Sequence, residues 1–163
     1  MPALSSTVPG AIEALNAHFQ AVADAAEIEL GNYVGPPFGT VANNFLAIGD
    51  VEGKGELITN YQQGFQGMYS PPLRRTEAYG LHCVLKVWDA AIDQVARLTE
   101  AFDVLSALMT RLASDVNPTA LGPSGAWSMT NIENPAAGAL GNKGWGCVFT
   151  FDVQVQQVIL TDL

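Results

Sequence analysis

The chain has 163 residues, of which 48% are hydrophobic and only 14% are charged. That length suits one domain with a core of its own, and a charge content below the roughly 25% of typical soluble domains predicts surfaces buried against other chains. The formal net charge of -9 argues against a protein that binds the grooves of duplex DNA or an anionic membrane. No basic segment precedes an apolar run at the N-terminus, and no run approaches the ~18 apolar residues of a membrane span. We therefore expect a protein that is neither exported nor inserted in a membrane.

The first predicted element is an amphipathic helix that ends near residues 24–26. Thr7 supplies the expected capping hydroxyl and Pro9 stands in the first turn. Short alternation in EIELGNY and a Pro/Gly turn in YVGPPFG follow, and NFLAIGD is typical of a buried strand. The apolar residues of the helix recur every three or four positions, at Ile12, Leu15, Phe19 and Val22.

Residues 51–72 are rich in glycine and contain the polar, aromatic stretch NYQQGFQGMYSPP. This composition predicts a long loop or a β-hairpin extension of the sheet. Loops of that length are more often functional than idle.

The stretch LRRTEAYGLHCVLKVWD predicts a central strand, because both of its alternating faces are partly apolar. Asp89 is then a candidate N-cap for a long helix that continues to Asp115. One strand face contains Glu77, Tyr79, Leu81, Cys83, Leu85 and Val87, and the helix repeats Ile92, Val95, Leu98, Phe102, Leu105, Met109 and Leu112 at spacings of three and four.

The C-terminal third predicts two strands. NPTALGPSG ends the long helix, AWSMTNIEN is typical of a strand, NPAAGALGNKGWG of a Gly-rich connection and WGCVFTFDVQVQQVIL of a long final strand. Cys83 and Cys147 fall in strand-like runs and are expected to be reduced core residues. Together the elements predict a single α+β domain over residues 1–163, in which a mixed or antiparallel sheet packs two helices on one face.

Sequence motifs for catalysis or cofactor binding fail on their spacing. GDVEGKGE resembles a phosphate-binding loop, but its glycines are one residue too close and Gly55 replaces the Ser or Thr that would hold magnesium. Ser124 in GPSGA is better explained as a turn residue than as a nucleophile. We expect no enzymatic activity, cofactor or metal.

The titratable pairs also favour structural roles. His18 and His82 have no neighbouring ligand at metal spacing, and His82 and Cys83 face opposite ways on a strand. Glu27 with Glu29 would share one strand face, which is the geometry for acid/base work. Asp50 with Glu52 is a second pair. Since acidic residues outnumber basic ones sixteen to seven, a solvated edge explains such pairs better.

Arg74 and Arg75 stand together at the start of the predicted central strand, and three interpretations are open. They could keep a strand edge soluble, pair with a carboxylate of the same chain such as Glu77, or contact an acidic face of a neighbouring copy. Composition alone does not choose between them.

The order of these features resembles the tail terminator proteins of long-tailed bacteriophages, over most of the chain. The resemblance rests on the N-terminal helix with its short strands, the strand RRTEAYGLHCVLKVWD, the helix DAAIDQVARLTEAFDVLSALM, the turn VNPTALGPSG and the closing strand GCVFTFDVQVQQVIL.

The resemblance implies a virion protein that is assembled in the host cytoplasm. Such proteins form a homohexameric ring on the head-proximal end of the tail tube, where the ring stops tube polymerisation and docks the head. The implied partners are further copies, the tail tube protein and a head-tail connector or head-completion protein, with DNA passing through the lumen. We expect the subunit interface to include Arg74, Arg75, Tyr61, Phe65, Met68 and Tyr69. The alternatives are another tail or head-tail structural protein, and a small-molecule-binding α+β domain.

Overall fold

The computed structural model describes residues 6–35, 43–49, 57–66, 73–89, 94–122, 124–139 and 145–161. In these ranges the helices and strands follow the order expected of one α+β domain. They are α1 Val8–Ala25, β1 Gly31–Val34, β2 Phe45–Ile48, β3 Ile58–Gln66, β4 Leu73–Asp89, α2 Gln94–Ser114, a 3-10 turn Thr119–Leu121, β5 Ala126–Ala139 and β6 Trp145–Thr161.

The strands form one mixed sheet in the order β1-β2-β4-β6-β5. β1 and β2 are parallel, and the other neighbours are antiparallel. β6 pairs with β4 along residues 73–89, so it occupies one whole edge of β4. The other edge is shared by β2, opposite residues 83–86, and β3, opposite residues 74–81. Of the two forms predicted for residues 51–72, the described part is therefore a strand paired with β4.

His82 joins β2 to β3 at the point where these two strands meet on the edge of β4. The Gly49 N–H donates to the His82 carbonyl at 2.6 Å, and the His82 N–H donates to the Leu57 carbonyl at 3.1 Å. β2 and β3 consequently form one interrupted strand whose two halves are fixed to the same residue.

The predicted alternation of β4 is confirmed. From Glu77 to Val87 every second residue is at most 1% exposed, while the residues between them are more exposed except at Gly80. The buried face packs against both helices; for example, Phe19 of α1 contacts Phe151 of β6 at 6.2 Å between ring centroids. Burial of this continuous apolar layer is the main stabilising term for such a domain.

At the start of α1 the predicted capping hydroxyl is wrong. Thr7 occupies the N-cap position, but its side chain does not cap the helix. The Thr7 hydroxyl instead donates to the Glu77 carboxylate, and Ser6 Oγ accepts the Val8 N–H at 3.1 Å. A distant charged acceptor has therefore taken the hydroxyl away from the local helix N–H groups.

The apolar stripe predicted for α2 is only partly buried. Leu105 and Leu112 lie in the core, but Val95, Phe102 and Met109 are 74%, 54% and 47% exposed. The helix is oriented so that Leu105 and Leu112 face the sheet. Asp89, the predicted N-cap, is the last residue of β4, and Ile92 lies outside the described residues. The buried residues of α2 are Ala101, Val104, Leu105, Leu108 and Leu112.

Two further predictions concern the C-terminal third. β5 continues to Ala139, through part of the segment predicted as a Gly-rich connection, so that boundary is wrong. β6 agrees with the predicted final strand, and Cys83 and Cys147 are buried free thiols. Gly125 is required in the preceding turn, because a Cβ there would stand 2.2 Å from the Leu121 side chain.

Candidate functional site

The residues predicted at a subunit interface fall on the antiparallel pair β3–β4. Arg75 lies opposite Phe65, Arg74 lies opposite Gln66, and Tyr61 lies at an irregularity of β3. Met68 and Tyr69 are outside the described residues. These predicted interface residues therefore lie side by side on two consecutive strands at one end of the sheet.

Arg75 is buried within its own chain, with 4% of its surface exposed. Its Nη2 lies 3.9 Å from Oε2 of Glu77, which is 1% exposed. β4 is paired on both sides at this level, so the interpretation of Arg75 as a solubilising strand-edge charge is wrong. The interpretation of an ion pair within the chain matches the geometry.

The Glu77 carboxylate is the centre of a hydrogen-bonded group, which we call the Glu77 cluster. Oε1 accepts the Thr7 N–H at 2.8 Å, the Thr7 hydroxyl at 2.5 Å and the Ser6 hydroxyl at 3.2 Å. Oε2 accepts the Tyr61 hydroxyl at 2.9 Å and a longer contact from Gln63 Nε2 at 3.4 Å. The cluster therefore joins the start of α1, β3 and β4 through one buried charge.

A β-bulge brings Tyr61 into the cluster. The register of β3 shifts between Thr59 and Gln62, and Asn60 has a φ of 50°, in the left-handed region. Bulges of this kind redirect a side chain. Here the Tyr61 ring stacks on Tyr79, with centroids 6.0 Å apart and planes at 27°, while 45% of Tyr61 stays exposed.

The pKa values of Glu77 and Tyr79 are shifted in opposite directions. Burial alone would raise the pKa of Glu77, but the hydrogen bonds from Thr7, Tyr61 and Gln63 outweigh it and lower the pKa of that carboxyl. Burial, with a smaller contribution from the nearby Glu77 charge, raises the pKa of Tyr79 to about 12. The site therefore keeps an ionised carboxylate beside a neutral phenol, an arrangement that holds chain segments in place.

A second region, which we call the α2 stripe, consists of Val95, Phe102 and Met109. These residues are seven positions apart, so they form one line along the exposed side of α2. The Phe102 ring contacts the buried Phe149 edge-on at 5.2 Å, which holds it against the sheet while half of its surface faces solvent. These exposed apolar side chains make the α2 stripe a candidate contact surface.

A cavity of about 270 Å³ lies between the C-terminal end of α1 and α2. Its lining combines apolar residues with the acidic side chains of Glu27, Glu100 and Asp103. Glu27 and Glu29 lie outside any strand, so their predicted common strand face is wrong, and Asp50 and Glu52 fall outside the described residues. In the described part of the chain, no group of three or more His, Cys, Asp or Glu side chains could hold a metal ion.

Both histidines pair with aspartates. His18 Nε2 lies 2.8 Å from Asp115 Oδ2, and His82 Nδ1 lies 3.1 Å from Asp152 Oδ1. The first pair joins α1 to the end of α2, and the second joins β4 to β6. These contacts agree with the structural roles predicted for His18 and His82.

Comparisons with known proteins leave the family open. No protein-family model matches the chain, and no curated protein matches it. Within the described ranges, none of the helices is long and apolar enough to cross a bilayer.

The sequence located part of this site and missed the rest. It identified Arg75 and named Glu77 as a possible partner, but it missed Thr7 and Gln63. The available signal was Glu77 itself, a carboxylate in phase with five apolar positions of a buried strand face.

Proposed function

We propose that the chain is a structural protein of a long-tailed phage particle, and that six copies form a ring on the head-proximal end of the tail tube. In this proposal the ring ends tube polymerisation and offers a docking surface to the head. The kind of assembly comes from the sequence resemblance. The observation that carries the proposal is the exposed α2 stripe.

The α2 stripe supports burial against another chain. Three large apolar side chains face solvent in one line, in a chain of which only 14% of the residues are charged. Contacts in a closed ring are heterologous, so the stripe of one copy would meet a different surface of the next. That arrangement would remove the stripe from water in each of the six copies.

The charge balance supports a role beside passing DNA. A net charge of -9 repels the phosphate backbone, so DNA would move through a lumen of such subunits without adhering. The proposed partners are accordingly the chain itself, the tail tube protein and a connector or head-completion protein.

The decisive experiment measures the mass of the purified protein by light scattering, alone and with tail tubes, and images both samples by negative stain. Rings of six copies, free or only at tube ends, are the expected result. Long cylinders would instead identify a tube protein, which is the main alternative. A chain that stays monomeric and ignores tubes would reject the proposal and direct attention to the acidic cavity as a ligand site.

A matched pair of variants tests the stripe. Phe102→Ser with Met109→Ser should abolish rings, because it removes the apolar contact while keeping α2 helical. Asp103→Ser with Thr110→Ser changes two exposed polar positions of the same helix and should leave rings intact. Equal ring formation by both variants would show that the stripe is not a ring contact.

A further inference from the structure

Two open strand edges lie on opposite sides of β4 at the level of Arg74. This residue is opposite Gln66 of β3 and opposite Leu160 of β6. β5 begins beside Gln156 of β6, so β6 extends past β5 from residue 157 to 161. Among the described residues, no strand pairs with the far side of β3 or of this end of β6.

The other edges of the sheet are short or protected. β1 has only four residues. β5 is covered at its start, where the Trp127 N–H donates to the Val116 carbonyl, and its register is broken twice around Glu133. Bulges, charges and covering segments are the devices by which proteins prevent pairing at strand edges.

The two open edges lack charged residues. β3 reads ITNYQQGFQ, and the end of β6 reads QVILT. Sixteen acidic residues are distributed over the rest of the chain, so two neutral edges at the same level of one sheet are notable. Like charges directly opposite each other destabilise paired strands. Two copies that paired along these neutral edges would avoid that repulsion.

We propose that the end of β6 in one copy pairs with β3 of the next copy, residues 157–160 with residues 63–66, which lie at the same levels of β4. The inference rests on the proposed ring and adds the surface that closes it, a continuous sheet to which each copy contributes β3, β4 and β6. Both β3 and β6 are antiparallel to β4, so they run in the same direction. Rotation about an axis along the strands keeps that direction, and the new pair is therefore parallel.

The Glu77 cluster has a defined task in this arrangement. Tyr61 and Gln63 of β3 bind the Glu77 carboxylate, which also binds Thr7 of α1. These contacts fix β3 on β4 and leave its far edge free. Tyr61 and Gln63 are thus positioning residues for the edge that receives the next copy.

Cysteine cross-linking tests the pairing directly. Gln66 and Leu160 both lie opposite Arg74, so Gln66→Cys with Leu160→Cys should link neighbouring copies within disulfide distance. Oxidation of the ring should give a ladder on a non-reducing gel that ends at six chains. Each single variant and the helix variant Gln20→Cys with Thr110→Cys should remain at the mass of one chain.

Charge variants give a second measurement. Gln62→Lys with Gln66→Lys places charges on the edge of β3 and should raise the concentration needed for half-maximal ring formation by about tenfold or more. Gln20→Lys with Thr110→Lys adds the same charge on exposed helix positions and should leave that concentration unchanged. Circular dichroism of each variant checks that the fold is retained.

The two proposals fail in different ways. The strand pairing would be overturned, and the ring proposal would stand, if the parent forms rings of six copies but the double cysteine variant does not cross-link and the β3 lysine variant assembles like the parent. A parent chain that never exceeds its own mass of 17.2 kDa, alone or with tubes, would overturn both.

Discussion

The two ends of the buried face of β4 are held by different interactions. From Leu81 to Val87 the face is apolar and packs against both helices. At Arg75 and Glu77 the same face is charged, and it is stabilised by hydrogen bonds from two other segments of the chain, the start of α1 and β3. Apolar packing tolerates many sequences, whereas a buried carboxylate is stable only with donors in fixed positions. The apolar end therefore gives the domain its core, and the polar end fixes where α1 begins and where β3 lies.

The largest expected effect comes from the apolar end. Leu81→Ala removes a fully buried side chain and leaves a cavity, so the free energy of unfolding should fall by about 3 kcal/mol. Urea unfolding at neutral pH measures it. Val84→Ala, on the half-buried opposite face, should cost about 1 kcal/mol or less. Equal losses would mean that both faces are buried in the protein as it exists in solution.

At the polar end, Glu77→Gln should lower the free energy of unfolding by about 2 kcal/mol. The amide keeps the shape of the side chain but turns an NH₂ group toward Tyr61 or Thr7, which both donate to the carboxylate. The same urea experiment measures the change, with Glu133→Gln as an exposed control that should stay within about 0.5 kcal/mol of the parent.

Tyr61→Phe separates the hydrogen bond from the ring contact. It removes one donor to Glu77 and keeps the stacking on Tyr79, so its loss should be smaller than that of Glu77→Gln. If Glu77→Gln proved as stable as the parent, the cluster would contribute no stability, and only the apolar end would hold the sheet.

The smallest effect is a difference in pH dependence between the two ends. The folded pKa of Glu77 is lowered from 4.5, so its stabilising contribution is complete above that pH and is lost as the pH falls through the folded pKa. The stability difference between the parent and Glu77→Gln should therefore shrink below about pH 4.5, while the difference between the parent and Leu81→Ala should not. Urea unfolding from pH 3 to pH 7 compares them. A constant Glu77 difference over this range would contradict the lowered pKa.

The apolar end could be predicted from the sequence, and the polar end could be predicted only in part. Alternation over the predicted central strand separated its residues into two faces, because a period of two is a direct consequence of strand geometry. The structure buries the face that contains Leu81 and Val87. The partners of Glu77 were not predictable in the same way. Thr7 is seventy residues away in the chain, and Tyr61 reaches the carboxylate only through a bulge at Asn60.

Two other elements show why patterns alone are insufficient. β3 has few large apolar residues, since it lies at an edge and takes its register from β4, and so its composition was compatible with a loop. Spacing alone predicted one stripe on α2 that joined Leu105 and Leu112 with the residues of the α2 stripe. The tertiary structure buries Leu105 and Leu112 together with Ala101, Val104 and Leu108, and this orientation of the helix leaves the α2 stripe exposed.

The double hydrogen bonding of His82 has a consequence for how this chain tolerates change in length. One residue of β4 holds the end of β2 through Gly49 and the approach to β3 through Leu57, so the connection between them begins and ends at the same point of the sheet. Extending such a closed connection adds only a small entropic cost, about 0.6 kcal/mol for each doubling of its length. An epitope or fluorophore inserted between Gly49 and Leu57 is therefore expected to leave β2 and β3 in place, because both anchors are backbone hydrogen bonds to His82.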